Sequence, residues 1–564
     1  MAEPAPVRIG NASGFYGDRF AAMREMLEGG RLDVLTGDYL AELTMLILGR
    51  DRQRDPSLGY ARTFLRQLED CLGLALDKGV AIVANAGGLN PAGLAAAVGQ
   101  LAERLGLAPR IGYVDGDDLL PRAAELGYGE PLAANAYLGG WGIAACLQAG
   151  ANVVVTGRVT DASLVVGPAA AHFDWKLNDF DALAGAMAAG HVVECGAQAT
   201  GGNYAFFTEI ADLRHPGFPI ADVYPDGSSV ITKHPATGGA VTVGTVTAQL
   251  LYEVAGPRYA GPDATLRLDT VQLSDDGPDR VAISGARGEP PPPALKVSLN
   301  YLGGFRNQVE FVLTGLDIEA KAELVRRQLA DVLPPDATWE LARTDHRDPS
   351  TEEQASATLR CLVRGSDAKA IGRAFSGAAV ELALASYPGF HLTAPPGDAQ
   401  PYGVFTAAYI ERAQVKQVAT LPDGTRTHRI ADPTATKVLE PAQPAVVPPW
   451  TAAGPARRVP LGLVAGARSG DKGGDANIGV WARDPAAWPW LAATLTTGRL
   501  RELLPEVAGL PVTRHLLPNL HAVNFVIEGI LGEGVAAAAR FDPQAKALGE
   551  WLRARFLEVP EGLL

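Results

Sequence analysis

One pattern recurs through the first 170 residues and limits what this chain can fold into: a short apolar run ends in a small or polar loop, and a helix-like stretch follows. The runs are Val7–Gly10 before Asn-Ala-Ser-Gly, Asp33–Leu35 before Thr-Gly-Asp-Tyr, and Val80–Ala84 before Asn-Ala-Gly-Gly. Arg110–Val114 before Asp-Gly-Asp-Asp and Asn152–Val155 before Thr-Gly-Arg complete the set. Strands without polar alternation, separated by helices, predict βαβ units around a parallel sheet buried on both faces. The segments Asp18–Glu28, Ala61–Lys78 and Pro91–Leu105 carry apolar residues at helical spacing, and Pro91 sits where a first-turn proline is harmless. Polar residues gather at the carboxyl ends of the runs, the edge where open α/β sheets bind ligands.

From Gly217 the texture changes. Val241–Leu250 and Thr265–Leu273 alternate and read as antiparallel strands. After Pro290–Pro293 come a strand at Val309–Thr314, a helix at Ile318–Leu333, strands at Thr338–Arg343 and Thr358–Arg364, a helix at Ala368–Ser386 and a strand at Val404–Ile410. That order is βαββαβ, a split βαβ arrangement. The Pro/Ala-rich stretch Glu440–Ala456 reads as a linker. Beyond it Val459–Ala465 and Ile478–Ala482 flank a loop at Arg468–Asn477, and a strand at Val523–Ile527 and a helix at Pro543–Phe556 close a small α/β domain. The expected partition is an α/β parallel-sheet domain at 6–216, an α+β domain at 217–440, a linker at 441–456 and a small domain at 457–564.

A length of 564 residues exceeds one hydrophobic core, so about two to four domains are expected. The balance of 49 basic against 63 acidic residues argues against nucleic acid as a partner, since phosphate-backbone binding needs a basic face. Cys71, Cys146, Cys195 and Cys361 show no paired spacing, which disfavours a disulfide framework or a cysteine zinc site. The start Met-Ala-Glu-Pro-Ala-Pro lacks the regions of a signal peptide, and no run of about 18 apolar residues is present to cross a bilayer. The expectation is a cytoplasmic protein with no membrane partner. A buried sheet in a chain this long also favours a symmetric homo-oligomer.

There is no G-x-G-x-x-G after the first strand, and no P-loop, H-E-x-x-H or G-x-S-x-G motif. Chemistry therefore has to come from other groupings. His191-Val-Val-Glu-Cys195 places a histidine, Glu194 and Cys195 together: Cys195 fits an activated thiolate or a small packed hydrophobe, and Glu194 a desolvated acid or base. Arg158 and Asp161, in Thr156-Gly-Arg-Val-Thr-Asp, fit a carboxylate or phosphate grip at a helix start, or a pair that organises the turn. Asp38, Tyr39 and Glu42 lie at one strand end and Asp115, Asp117 and Asp118 at another. Converging carboxylates suit an acid/base pair or oxygen ligation of Mg²⁺, and isolated ones suit turns; Asp38 and Asp117 are the two chosen as functional. The Gly-rich stretches Lys233–Gly239 and Arg468–Asn477 fit anion nests or plain hairpin turns. His391, His515 and His521 have no partner at metal-ligand spacing.

The motifs Gly10-Asn-Ala-Ser-Gly14, Thr36-Gly-Asp-Tyr-Leu-Ala-Glu42, Asn85-Ala-Gly-Gly88, Thr156-Gly-Arg-Val-Thr-Asp161 and Glu194-Cys-Gly-Ala-Gln-Ala-Thr-Gly-Gly-Asn203, in that order, resemble the acyclic terpene utilisation (AtuA-like) family. Arg468-Ser-Gly-Asp-Lys-Gly-Gly-Asp-Ala-Asn477 resembles the small ferredoxin-like domain often fused to it. The resemblance spans about residues 7 to 560. It implies a two-part architecture and a place in the breakdown of citronellol-, geraniol- and leucine-like skeletons through branched acyl-CoA thioesters. It carries no catalytic residue with it.

The residues lead to three functional expectations. The first is a cofactor-poor lyase, by hydration/dehydration or C–C cleavage, acting beside the carbonyl of a carboxylic acid or acyl-CoA thioester. Asp38 or Glu194 is then the base and Asp117 or His191 the acid. Arg158 and the amides of Asn85–Gly88 (Gly87 and Gly88 among them) and of Gly201, Gly202 and Asn203 hold developing charge. Lys233, Arg468 and Lys472 grip a phosphate-bearing tail. Asn11 and Ser13 in the first loop, Asp161, and Ser469 and Asn477 in the last loop complete the expected binding set. The second is a hydrolase or acyl transferase working through Cys195. The third is a non-catalytic ligand-binding or scaffold subunit.

Overall fold

The computed structural model describes residues 5–427, 430–451 and 454–564, without the side chains of residues 42, 43 and 427. The expected carboxylate of Glu42 therefore lies outside the described residues, as does most of the starting segment read for a signal peptide. The chain is mixed α/β. Two compact units form: Met1–Asn300 with Phe405–Gly534 and Gln544–Leu564, and Tyr301–Val404 with Val535–Pro543.

The larger unit is organised by a sheet whose five central strands are parallel, in the spatial order Val7–Asn11, Val34–Gly37, Ala81–Ala84, Val153–Thr156, Ile111–Asp115. Each is within a residue or two of its sequence-predicted run. All four residues of Val153–Thr156 are buried, as a strand covered on both faces requires. Helix Pro91–Leu105 begins where the proline predicts, and Asn90 Oδ1 accepts the amide of Gly93 at 2.9 Å as its N-cap. Helices Ala22–Gly29, Arg62–Lys78 and Pro91–Leu105 bury Met26, Leu27, Phe64, Leu68, Leu72, Leu94 and Val98 in one core with the strands.

The partition at residue 217 does not match the fold. Pro219–Val223 runs antiparallel beside Val7–Asn11, and Ser229–Lys233 continues outward, so the chain beyond 217 extends the first sheet. Val241–Leu250, read as a strand, contains the helix Val243–Leu250 instead. Thr242 and Thr245 cap its start reciprocally, at 3.0 and 3.1 Å, and Val246 and Leu250, one turn apart, are fully buried. Tertiary burial of one helical face has overridden the β-propensity of the Val/Thr alternation. Thr265–Leu273 is also not one strand: the strands Thr265–Arg267 and Gln272–Asp275 are separated by a turn that the Arg267–Asp269 ion pair (2.7 Å) and the Thr270 hydroxyl fold back.

The smaller unit has the βαββαβ order with the two-residue strand His391–Leu392 as its last member; the expected last strand, Val404–Ile410, belongs to the larger unit except for Val404. Phe305–Thr314, the end of the long strand Ala294–Thr314, pairs antiparallel with Ser356–Gly365, and Thr338–Ala342 lies on the far side of the latter. Helices Ile318–Leu329 and Phe375–Glu381 cover one face, burying Val325 and Phe375 against Phe311, Leu359 and Cys361.

The carboxyl-terminal region carries a four-stranded antiparallel sheet in the order Ala465–Lys472, Asp475–Ala482, Ala522–Ile527, Val512–Leu517. The expected loop Arg468–Asn477 is mostly strand. Only Gly473 and Gly474 turn the chain between the paired Lys472 and Asp475, so Arg468, Ser469 and Asn477 project from a ladder, as they would in a tight two-residue hairpin.

Candidate active site

All five parallel strands end on the same edge, and the residues that follow them converge with two segments from elsewhere in the larger unit. Asp38, after the second strand, is buried; its Oδ1 accepts from Asn85 Nδ2 at 2.6 Å and from the amide of Leu40 at 2.9 Å. Asn85 in turn accepts the amide of Tyr39 at 2.7 Å. Burial and the nearby Asp161 push the Asp38 carboxyl well above its usual range, against the pull of Arg158. Arg158, after the strand Val153–Thr156, donates to the carbonyl of Leu40 at 2.7 Å, lies 4.4 Å over the Tyr137 ring and pairs with Asp161 at 3.5 Å. Arg158 thus bridges two strand ends.

The helix Phe180–Val193 delivers the next group. Its last carbonyls, those of Val193 and Glu194, are taken by Asn11 Nδ2 at 2.6 and 3.0 Å, satisfying acceptors that a helix end leaves unpaired. Asn11 therefore fixes where His191, Glu194 and Cys195 point. His191 Nδ1 is 3.4 Å from Glu194 Oε1, and its ring sits 4.9 Å from that of Tyr259. Burial and then Lys472 press the imidazole down to about 4, so it is neutral at pH 7. Burial, with Asp161 and Glu253 adding to it, holds Glu194 well above the usual carboxylate range. Burial and the carboxyls of Glu194 and Glu253 hold the Cys195 thiol well above its usual value.

Glu253 enters from the segment after helix Val243–Leu250. Its pKa is raised to about 8 by burial and by Asp471, with Lys472 opposing. The side chain is nevertheless 36% exposed, as is that of Lys546 3.5 Å away, so solvent reaches both. The Glu253 backbone is in the left-handed region at φ 57° and is clamped by the hairpin. Its amide donates to Asn477 Oδ1 at 2.9 Å and its carbonyl accepts from Lys472 Nζ at 2.8 Å. Asn477 Nδ2 also holds the carbonyl of Leu251 at 2.7 Å. Arg468 lies 4.5 Å over the Tyr252 ring and donates to Gln198 and to the carbonyl of Asn203. Lys546 contacts the Tyr252 hydroxyl and stands 3.5 Å from Asp471.

The site thus brings together Asp38, Arg158, Asp161, His191, Glu194, Cys195, Arg468 and Lys472 from the sequence-predicted set. Others hold the scaffold. Ser13 Oγ donates to the carbonyl of Asp38 at 2.8 Å. Asp117 sits under the Gly157–Arg158 turn, accepting from Asn135 Nδ2 and the Arg158 amide at 2.8 Å each; burial raises its pKa to about 7. Gly87 lets the loop press against Pro91, where a Cβ would stand 2.8 Å away, and Gly88 makes the turn at φ 53°. The amides of Gly201 and Gly202 are spent on the carbonyls of Gln198 and Ala197, at 3.2 and 2.9 Å, and the Asn203 side chain is exposed. Lys233 is paired with Asp279 at 3.0 Å on the antiparallel wing of the sheet. Ser469 Oγ accepts the amide of Gly549 at 2.9 Å inside the small domain.

Sequence reading missed Glu253, Tyr259, Tyr252 and Lys546. The one local signal for Glu253 is a lone charge in the run Leu250-Leu-Tyr-Glu-Val-Ala255; Lys546 carries none. Among the described residues no group of three His, Cys, Asp or Glu side chains is arranged to hold a metal ion, and no helix is long and apolar enough to cross a membrane.

The model of the acyclic terpene utilisation family protein AtuA matches residues 7–421. The chain belongs to that family. A second model, the AtuA ferredoxin-like domain, matches residues 459–558, the region of the four-stranded antiparallel sheet. The family is implicated in acyclic terpene utilisation. No curated protein and no solved structure matches the chain. The AtuA match covers every strand end that builds the site, and the ferredoxin-like match supplies Arg468, Lys472 and the Asn477 clamp.

Proposed function

We propose that this AtuA-family chain is an acid/base enzyme of the lyase type, acting beside the carbonyl of a branched carboxylic acid, free or as its acyl-CoA thioester. One observation carries the reading: Glu253, with a pKa near 8 and a partly exposed side chain, and the buried Glu194, held toward its protonated form, lie within electrostatic reach of each other and of Arg158 and Lys472. Two carboxyls in unlike surroundings, one buried and one partly exposed, suit one to donate and the other to accept. Glu194 donates a hydrogen bond to the substrate's carbonyl oxygen. Glu253 takes or returns the proton at the neighbouring carbon or hydroxyl, and the cations of Arg158 and Lys472 balance the negative charge that develops. Polar atoms support this assignment: Glu194 Oε2 and Arg158 Nε are buried and make no hydrogen bond among the described residues. Turnover through a Cys195 thiolate draws no support, because its neighbours are acidic and disfavour the thiolate.

The test is mass spectrometry of citronellic, geranic and related branched acids, and of their CoA thioesters, incubated with the protein in ²H₂¹⁸O. Gain or loss of water, cleavage products or solvent deuterium at carbon is the expected result, and it separates hydration from C–C cleavage. No mass change across the panel with folded protein overturns the reading.

A further inference from the structure

The strand Ala465–Lys472 turns alternate side chains to its two faces. Ser469 faces the interior of the small domain, where its hydroxyl accepts the amide of Gly549. Arg468, Gly470 and Lys472 share the other face, against Tyr252 and Glu253. A Cβ at Gly470 would overlap the Tyr252 ring, so the glycine lets that ring lie beside Arg468, whose guanidinium is 4.5 Å from its centroid.

Arg158 and Arg468, 4% and 6% exposed, are the two arginines buried this deeply among the described residues. Arg158 has Asp161 as a counter-ion at 3.5 Å. Arg468 makes no ion pair among the described residues. Its Nη1 and Nη2 donate to neutral acceptors, the carbonyl of Asn203 at 3.3 Å and Gln198 Oε1, and its buried Nε makes no hydrogen bond. The acids that act on it, Cys195 and Glu253, are both held toward their protonated forms and so leave its charge in place. Lys546, 4.5 Å from the same ring centroid, is unlike it, with Glu253 and Asp471 each 3.5 Å away. A buried cation without a counter-ion is costly to keep. A guanidinium oriented by neutral acceptors, with one charge uncompensated and a donor unused, matches a planar monoanion. Solvent reaches its neighbours Glu253, Lys546 and Asn203.

We propose that Arg468 binds a carboxylate of the ligand taken by the candidate site. The inference rests on the lyase reading for the place of the substrate and deepens it by naming a group the substrate carries. Isothermal titration of the full chain with citronellate, its neutral amide and coenzyme A tests it. Saturable binding of citronellate is expected, weaker by at least about 10-fold for the amide and in Arg468→Gln. Arg499→Gln, which removes a surface charge paired with Glu502, is expected to bind as the parent does. Gln198→Glu sets a carboxylate of the protein against the guanidinium. It should melt at or above the parent's temperature yet bind citronellate at least about 10-fold more weakly, whereas a strut holding the loop together would leave binding unchanged. If thermal melts show Arg468→Gln unfolded, Arg468→Lys keeps the charge, loses the fork and is expected to bind more weakly as well. No binding of citronellate at millimolar concentration, equal affinity for acid and amide, or full affinity in the folded Arg468 and Gln198 variants overturns the proposal. So does Arg468-dependent binding of coenzyme A alone, which would make the anion a phosphate. Arg468-dependent binding of citronellate without turnover of any acid or thioester sustains the proposal and removes the lyase reading; turnover with binding indifferent to Arg468 does the reverse.

Discussion

Glu253 combines three costs at one residue: a left-handed backbone, a crowded carboxyl and acidic neighbours. A non-glycine residue held at positive φ costs about 1–2 kcal/mol, and such strain concentrates at functional sites. With a pKa near 8, Glu253 becomes a base only as pH climbs through that value, so kcat/KM is expected to rise across pH 7–9. Glu253→Gln is expected to lower kcat/KM by at least about 100-fold and to flatten the profile, measured with whichever substrate the mass-spectrometric panel identifies. Stability should move the other way. The folded pKa lies above the ordinary 4.5, so this carboxyl's favourable contribution is complete below about 4.5 and is lost as pH rises through 8. Melting curves of Glu253→Gln against the parent are therefore expected to show a gain that is larger at pH 9 than at pH 5. Cys195 gives the contrasting case. Its thiol is held protonated by burial, Glu194 and Glu253, so Cys195→Ala should cost no more than about 10-fold in kcat, far less than loss of a nucleophile. A fall to the uncatalysed rate would restore the nucleophile assignment.

Among the elements, the end of helix Phe180–Val193 is the one whose placement matters most to the proposed chemistry, and Asn11 spans from the first strand to its last two carbonyls. Asn11→Ala leaves two buried acceptors unpaired and is expected to cost about 2–4 kcal/mol in a urea unfolding experiment. It should also lower kcat more than it raises KM, because Glu194 loses its fixed position. The same junction shows what a sequence can disclose. Arg158, Asp38 and Glu194 were legible because each interrupts an apolar run at a strand or helix end, where a buried polar group needs a purpose. The parallel core and the βαββαβ order were legible for the same reason, since hydrophobic periodicity is local. The helix at Val243–Leu250 was not, because its Val/Thr alternation has the period of a strand and only burial of Val246 and Leu250 decides for a helix. Asn477, Ser469 and Lys233 looked like ligand contacts because glycine and charge surround them, yet each has partners within the protein: backbone and Asn524 for Asn477, backbone for Ser469, and Asp279 with a backbone carbonyl for Lys233. Glu253 and Lys546 were hidden for the opposite reason: residues 293 positions apart in sequence meet at 3.5 Å only once the larger unit has closed.

At the scale of the whole molecule, residues of the ferredoxin-like region and of the parallel-sheet region meet at the candidate site. The hairpin Ala465–Ala482 contributes Arg468 and Lys472, and its Asn477 grips the Leu251–Glu253 segment that presents the titrating carboxyl. If that grip acts on chemistry through Glu253, Asn477→Ala should lower kcat by about 10–100-fold, with the pH profile shifted as Glu253 relaxes toward solvent and its pKa falls. A double-mutant cycle then separates positioning from general destabilisation. Residues joined in one network give non-additive effects, whereas independent ones add to within about 0.5 kcal/mol. In a Glu253→Gln background the Asn477→Ala change has no carboxylate left to misplace, so kcat of the double variant should match that of Glu253→Gln alone. The loss of melting temperature, which reflects the broken hydrogen bonds to Leu251 and Asn524, should persist in both backgrounds. Additive losses in kcat would mean that Asn477 supports the site by some route other than Glu253, and the carboxyl would then lose its standing as the group the two regions jointly hold.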